Sequence, residues 1–219
     1  MKYPIPLAAI DRWHLMLLTA ACVCAGSSFA QAEPNPCGNL ANGYGPYDYR
    51  KDKDKLPIVE NHHFVPHVEA LIRGVSGPIG GELDYTLRAF PNHHRALVAV
   101  TRYGDRLKTP KPPGANYTVE CYFDRAMRFA ADDNVVRILF AQYLGKQGRT
   151  DEAVSQLETA AAKAPDAGFT QYNIGLVYFE MGKHERALAQ AHRAMTLGFA
   201  RPELQAILEK IGKWQELQK

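Results

Sequence analysis

The sequence predicts an all-α chain built from stacked helix pairs, and three observations carry that prediction. A set of small and bulky apolar residues recurs at an interval of 34 positions across 134–201. A glycine stands where the first helix of each pair has to end. The apolar residues between these marks follow a helical period, not the alternation of a strand. The chain has 219 residues, 46% apolar and 22% charged, which is the make-up of an ordinary globular protein. Its 26 Lys and Arg against 23 Asp and Glu leave a formal charge of +3, too balanced for an electrostatic nucleic-acid binder. Four cysteines in this length exclude a disulfide-dense scaffold.

The period can be counted. With Gly168 as position 1, Ile174 and Gly175 take positions 7 and 8, Tyr178 position 11 and Gly182 position 15. Ala187, Ala191 and Ala194 then take positions 20, 24 and 27. One period earlier the same places hold Phe140, Ala141, Leu144, Gly148, Ala153, Leu157 and Ala160, and Pro165 stands at position 32. Small residues at 8, 20 and 27 let two helix backbones approach, and Leu144 and Tyr178 fill the space between them. Gly148 and Gly182 supply the positive φ of the turn, and Pro165 stops the second helix. This arrangement resembles the tetratricopeptide repeat (TPR) family, whose pattern runs W-x-x-L-G-x-x-Y, then A-x-x-x-F, then a closing Pro.

The likeness weakens upstream. Pro91-Asn92 reads as the end of a first repeat over 60–93, with Ala70, Gly74 and Leu83 at positions 11, 15 and 24. A second repeat over 94–133 is six residues longer than its neighbours. Its helices are expected over 94–107 and 118–129, separated by the non-helical string Lys108-Thr109-Pro110-Lys111-Pro112-Pro113-Gly114. Third and fourth repeats follow at 134–167 and 168–201. A terminal helix over 202–217, with Leu204, Ile207, Leu208 and Ile211 on one face, is expected to cap the array within the closing segment 202–219. The resemblance implies a short α-solenoid, with antiparallel helix pairs in a right-handed superhelix.

Residues 1–32 read as an export signal. Lys2 and Arg12 flank a weakly basic start, an uncharged run follows from Leu15 to Ala25, and Ala30-Gln31-Ala32 has the form that signal peptidase cuts. Cleavage is expected before Glu33, giving a periplasmic or secreted protein. The same segment also admits an uncleaved anchor, although the run falls short of the roughly 20 apolar residues of a span, or lipidation at Cys22. Removal of the leader leaves Cys37 and Cys121, which are expected to pair in an oxidising compartment. The loop they close would contribute about 4 kcal/mol in the chain-entropy model. No C-x-x-C spacing is present. Residues 33–59 form an irregular extension whose Gly43-Tyr44-Gly45-Pro46-Tyr47-Asp48-Tyr49 strip is expected to pack on the solenoid. A mixed-charge run follows it from Arg50 to Lys55. Together these features resemble small exported TPR proteins of Gram-negative bacteria.

The chemistry of catalysis finds little footing. There is no G-x-S-x-G elbow, phosphate loop or kinase signature, and Gly77-Pro78-Ile79-Gly80-Gly81 follows a helix, not a strand. Asp132-Asp133 suits a helix cap. The chain is therefore expected to be non-enzymatic and free of cofactors. One alternative is a metal-handling protein using His62, His63 and His67, since imidazoles bind zinc and copper well, although Pro66 disturbs their helical spacing. The resemblance points instead to the concave face, where family positions 2, 5, 9, 12 and 13 line a groove for a protein or peptide segment. In the fourth repeat these are Phe169, Tyr172, Leu176, Phe179 and Glu180; in the third they are Val135, Ile138, Gln142, Gly145 and Lys146. Either a partner occupies this face or the terminal helix closes over it.

Overall fold

A computed structural model describes residues 35–217; the export-signal segment lies outside the described residues. Among the described residues ten helices follow one another: α1 (Leu56–His63), α2 (Pro66–Glu69), α3 (Ile79–Ala89), α4 (His94–Leu107), α5 (Val119–Phe129), α6 (Asn134–Lys146), α7 (Thr150–Lys163), α8 (Gly168–Glu180), α9 (His184–Thr196) and α10 (Pro202–Lys210). Among the described residues there is no strand. Consecutive helices pack as pairs, α6 on α7 and α8 on α9, and α4, α6 and α8 lie side by side, so the chain is an α-solenoid.

The repeated residues do the work their sizes imply. Ala153, Ala160, Ala187 and Ala194 are buried at the contacts within the pairs, with Leu144 and Tyr178 packed beside them. At Gly175 an added Cβ would lie 2.6 Å from the terminal methyl of Leu204 of α10, which would have to move aside. The turn at Gly148 has φ +76°; its amide bonds to Gly145 O, and the next amide, of Arg149, bonds to Leu144 O. This satisfies two of the orphan carbonyls of α6. The same pattern recurs at Gly182. After α4 it is Lys108 that takes the left-handed place, at φ +50°. N-termini are capped by side chains: Thr118 accepts from the Cys121 amide and Asp133 from the Val135 amide.

Two boundaries differ from the sequence expectation. The first repeat opens four residues early, at Leu56, and its first helix is broken into α1 and α2. Pro57 favours the early start and Pro66 removes a donor in mid-helix. The terminal helix stops at Lys210 and does not run to 217 or beyond, because Gly212 adopts φ +68° and Lys213 N–H bonds back to Leu208 O. Leu204 and Leu208 are buried, while Ile211 is exposed. Trp214 turns back against His192 of α9, with ring centroids 5.0 Å apart.

The extension over 35–55 is a strap across the outer helices. Cys37 and Cys121 are joined by a disulfide. Arg125 of α5, 1% exposed, donates to the carbonyls of Cys37 and Asn39 and faces the Tyr117 ring at 4.4 Å. Arg128 donates to Gly38 O, and Arg88 of α3 donates to Asn42 Oδ1. Tyr44, Tyr47 and Tyr49 pack with Val59, Ala89 and Phe90 as a second small core. The strap ends in a polar knot. Asn92, fully buried, accepts from the Tyr49 amide and donates to Asp48 and Asp133. Arg50 bonds to Asp48 at 2.7 Å and Asp132 at 2.9 Å.

His93 sits beneath this knot. Its Nδ1 accepts from the Ala96 amide at 3.1 Å and caps α4, which leaves the proton on Nε2, 3.0 Å from Glu60 Oε1. Burial pushes its pKa below the ordinary histidine value, against the pull of Glu60. The Arg50 hydrogen bond holds Asp48 well below the usual carboxylate range, and the His93 hydrogen bond lowers Glu60. Burial alone would raise Asp133, but His94, Asn92 and Arg50 bring it below the usual range. All four groups bind fewer protons folded than unfolded, so stability rises with pH through their titrations.

Three outcomes are expected. The melting temperature should fall on acidification in two stages, first below about pH 6.5, where the unfolded chain protonates His93 before the folded one does, and then below about pH 4, where it does the same with the carboxylates. His93→Gln should remove the first stage only. Replacing Lys108 with Gly relieves the left-handed backbone and should raise unfolding stability by about 1 kcal/mol, read from the urea midpoint.

Candidate protein-interaction groove

Helices α4 and α6 run side by side with an open seam between them. Its floor is Val98, 37% exposed, together with the partly buried Leu139 and Val135 and the buried Ala99. Two depressions of about 210 and 140 Å³ share Val98, Arg102 and Leu139 and make one channel. Glu69, His94 and Arg95 stand at one end, and Gln142, Tyr143 and Lys146 toward the other. Periodicity explains who faces the channel. Val135, Leu139, Gln142 and Lys146 are spaced i, i+4, i+7 and i+11 and so share one stripe of α6.

Charge along the rim is uneven. Arg95 is held by Glu69 and Glu60, and His94 Nε2 lies 2.8 Å from Asp133. Arg102 and Lys146 are in no ion pair among the described residues, and Lys146 is exposed. Between α6 and α8 the face is closed by a side-chain bridge, with Gln142 Nε2 donating to both Glu180 oxygens at 3.0 and 2.8 Å.

A second, separate depression of about 240 Å³ lies where α8 meets the start of α10. Phe169, 52% exposed, and Tyr172 both stack edge-on against Phe199, and the Tyr172 hydroxyl lies 3.1 Å from Glu203.

The residues expected in the groove therefore divide. Val135, Gln142 and Lys146 border the channel, and Phe169 lines the second depression. Glu180 is exposed but engaged by Gln142. Ile138 and Tyr172 are 6% and 9% exposed and pack in the core, Tyr172 at the edge of the second depression. Leu176 and Phe179 are partly buried against the same core, and Gly145 lies against Met181. Sequence reasoning missed Leu139, one position on from Ile138, and Val98 and Arg102, whose register the long second repeat obscured. The i+4 and i+7 spacing from Val135 was the available signal.

The histidines are dispersed. His63 Nδ1 lies 2.8 Å from Glu82 and its ring stacks on Tyr85 at 3.8 Å, while His62 is exposed. The Nε2 of His67 is buried with no hydrogen-bond partner among the described residues. Among the described residues no group of three metal-ligating side chains converges. The glycine-rich loop before α3 has its amides already engaged, since Val75, Ser76 and Gly77 all donate to Glu82 Oε1.

Comparison with known proteins gives one relative. Over 85 residues the chain is 29% identical to mouse (Mus musculus) DnaJ homolog subfamily C member 3, a protein that carries TPR repeats. The match covers 38% of this chain and 17% of that protein. No family model matches, and no solved structure matches.

Because Tyr172 is a core residue with a buried ring, its replacement by Ala should lower stability by about 3 kcal/mol or more, as loss of a core aromatic does. Leu139→Ser, at the open seam, should cost under about half that in the same urea titration.

Proposed function

We propose that the protein is an exported, non-catalytic interaction module that holds a segment of a partner protein in the α4–α6 channel. The observation that carries this reading is an apolar floor of Val98, Leu139 and Val135 left partly open to solvent, whereas the next seam, between α6 and α8, is bridged by Gln142 and Glu180. Exposed contiguous apolar surface of this kind marks interaction sites. The TPR-bearing relative points the same way. Export and an oxidising compartment agree with the Cys37–Cys121 bond, because such bonds persist outside the cytosol.

The strap fits this reading as a brace. It fastens α3, α4 and α5 from outside, and among the described residues of 35–55 none borders the channel. The groove is thus held in shape without being filled. The test compares affinity capture from the cell envelope by the native chain and by the Val98→Ser/Leu139→Ser variant. Partners retained by the first and lost by the second, with helical circular dichroism unchanged, support the proposal. Equal recovery by both removes the channel from consideration.

A further inference from the structure

We propose that the occupant of the α4–α6 channel is an acidic amphipathic helix of the partner, lying parallel to α4 and α6. This rests on the reading of the channel as the partner site and adds the partner's chemistry and conformation. Three features of the seam carry it.

The first is charge. The two depressions are bordered by Arg95, Arg102 and Lys146 against the single carboxylate of Glu69, and Glu69 is already committed to Arg95. Arg102 projects from α4 and Lys146 from α6, so the unpaired cations come from both walls. A carboxylate-bearing ligand meets both, whereas a basic ligand meets two like charges along the channel, the Glu180 carboxylate standing behind Gln142 on the α8 side. Electrostatic complementarity of this kind sets partner choice and association rate more than raw affinity.

The second is shape. The seam lies between two helices that run side by side, with the small residue Ala99 at its base, and its floor is a row of aliphatic side chains. This is the groove into which a third helix fits by ridge-into-groove packing. From Val135 to Lys146, α6 offers roughly 16 Å of channel wall, which matches a helix of about 12 residues. The third is confinement. The Gln142–Glu180 bridge closes the seam toward α8, so a ligand is held to the direction of α4 and α6 and is not led across the array.

Four fluorescein-labelled synthetic peptides of 14 residues test this by anisotropy against the full chain. One carries Leu at i, i+3, i+4 and i+7 with Glu elsewhere. A second has Lys in place of Glu. A third is the acidic peptide with two central Pro residues, which cannot be helical, and the fourth has its Leu residues replaced by Ser. The acidic helix should bind at least tenfold tighter than each of the others, with an affinity that falls as salt is raised. An Arg102→Glu/Lys146→Glu variant should weaken it at least tenfold and strengthen the Lys peptide. Equal binding of the acidic and basic peptides, or an unchanged acidic affinity in that variant, overturns the charge assignment. If Val98→Ser/Leu139→Ser still abolishes binding of both, the channel itself survives as the site. Equal binding of the Pro-containing peptide overturns the helical conformation. Absence of binding by every peptide, or binding that Val98→Ser/Leu139→Ser leaves intact, overturns both this proposal and the reading of the channel on which it rests.

Discussion

Two helices can lie close along their length only where the side chains between them are no larger than a methyl group, and the rest of this structure depends on that constraint. Ala153 and Ala160 bring α7 onto α6, Ala187 and Ala194 bring α9 onto α8, and Gly175 admits Leu204 of the terminal helix. Close approach of the backbones lets Leu144 and Tyr178 fill the remaining volume. Dispersion contacts then accumulate along whole helices, whereas a bulky residue at one notch would separate the pair over several turns. Because the notches repeat every 34 residues, each pair presents the same face to the next.

Where the notches degenerate, other interactions take over. The first repeat has a broken helix and a loop in place of a tight turn. It is held by polar groups that reach across long stretches of chain. Glu82 gathers three loop amides and His63, and Asp84 receives the Tyr122 hydroxyl at 2.6 Å and the Asn116 side chain at 2.8 Å. Asn92 ties the strap to Asp133. Buried polar networks hold a unique geometry when every member is satisfied, and they do so here at the cost of sensitivity to acid. The covalent link between Cys37 and Cys121 and the buried guanidinium of Arg125 secure the other end of the same strap.

The open seam follows from these two arrangements together. Regular packing aligns α4 with α6. The strap and its knot hold the second repeat against the first from the outer side, and the inner side is left uncovered. On that side the stripe Val135, Leu139, Gln142 and Lys146 changes character along its length, from aliphatic at the start to polar and cationic at the end. A single helical stripe therefore supplies both the apolar floor and one of the cations that give the channel its sign.

The sequence by itself determined the helix pairs, the turns at Gly148 and Gly182, the capping role of Asp133 and the pairing of Cys37 with Cys121. These depend on residue size, backbone permissiveness and count, which are local properties repeated at a constant interval. Only the tertiary structure decided which side of each first helix meets its partner. A shift of one position, from Ile138 to Leu139, moves a side chain by about 100° around the helix axis and from the core to the seam. It also decided that the Tyr172 ring is buried at the edge of the α8–α10 depression, that the last helix ends at Lys210, and that His62, His63 and His67 do not come together. Burial and convergence are sums over residues far apart in the chain, and no local pattern records them.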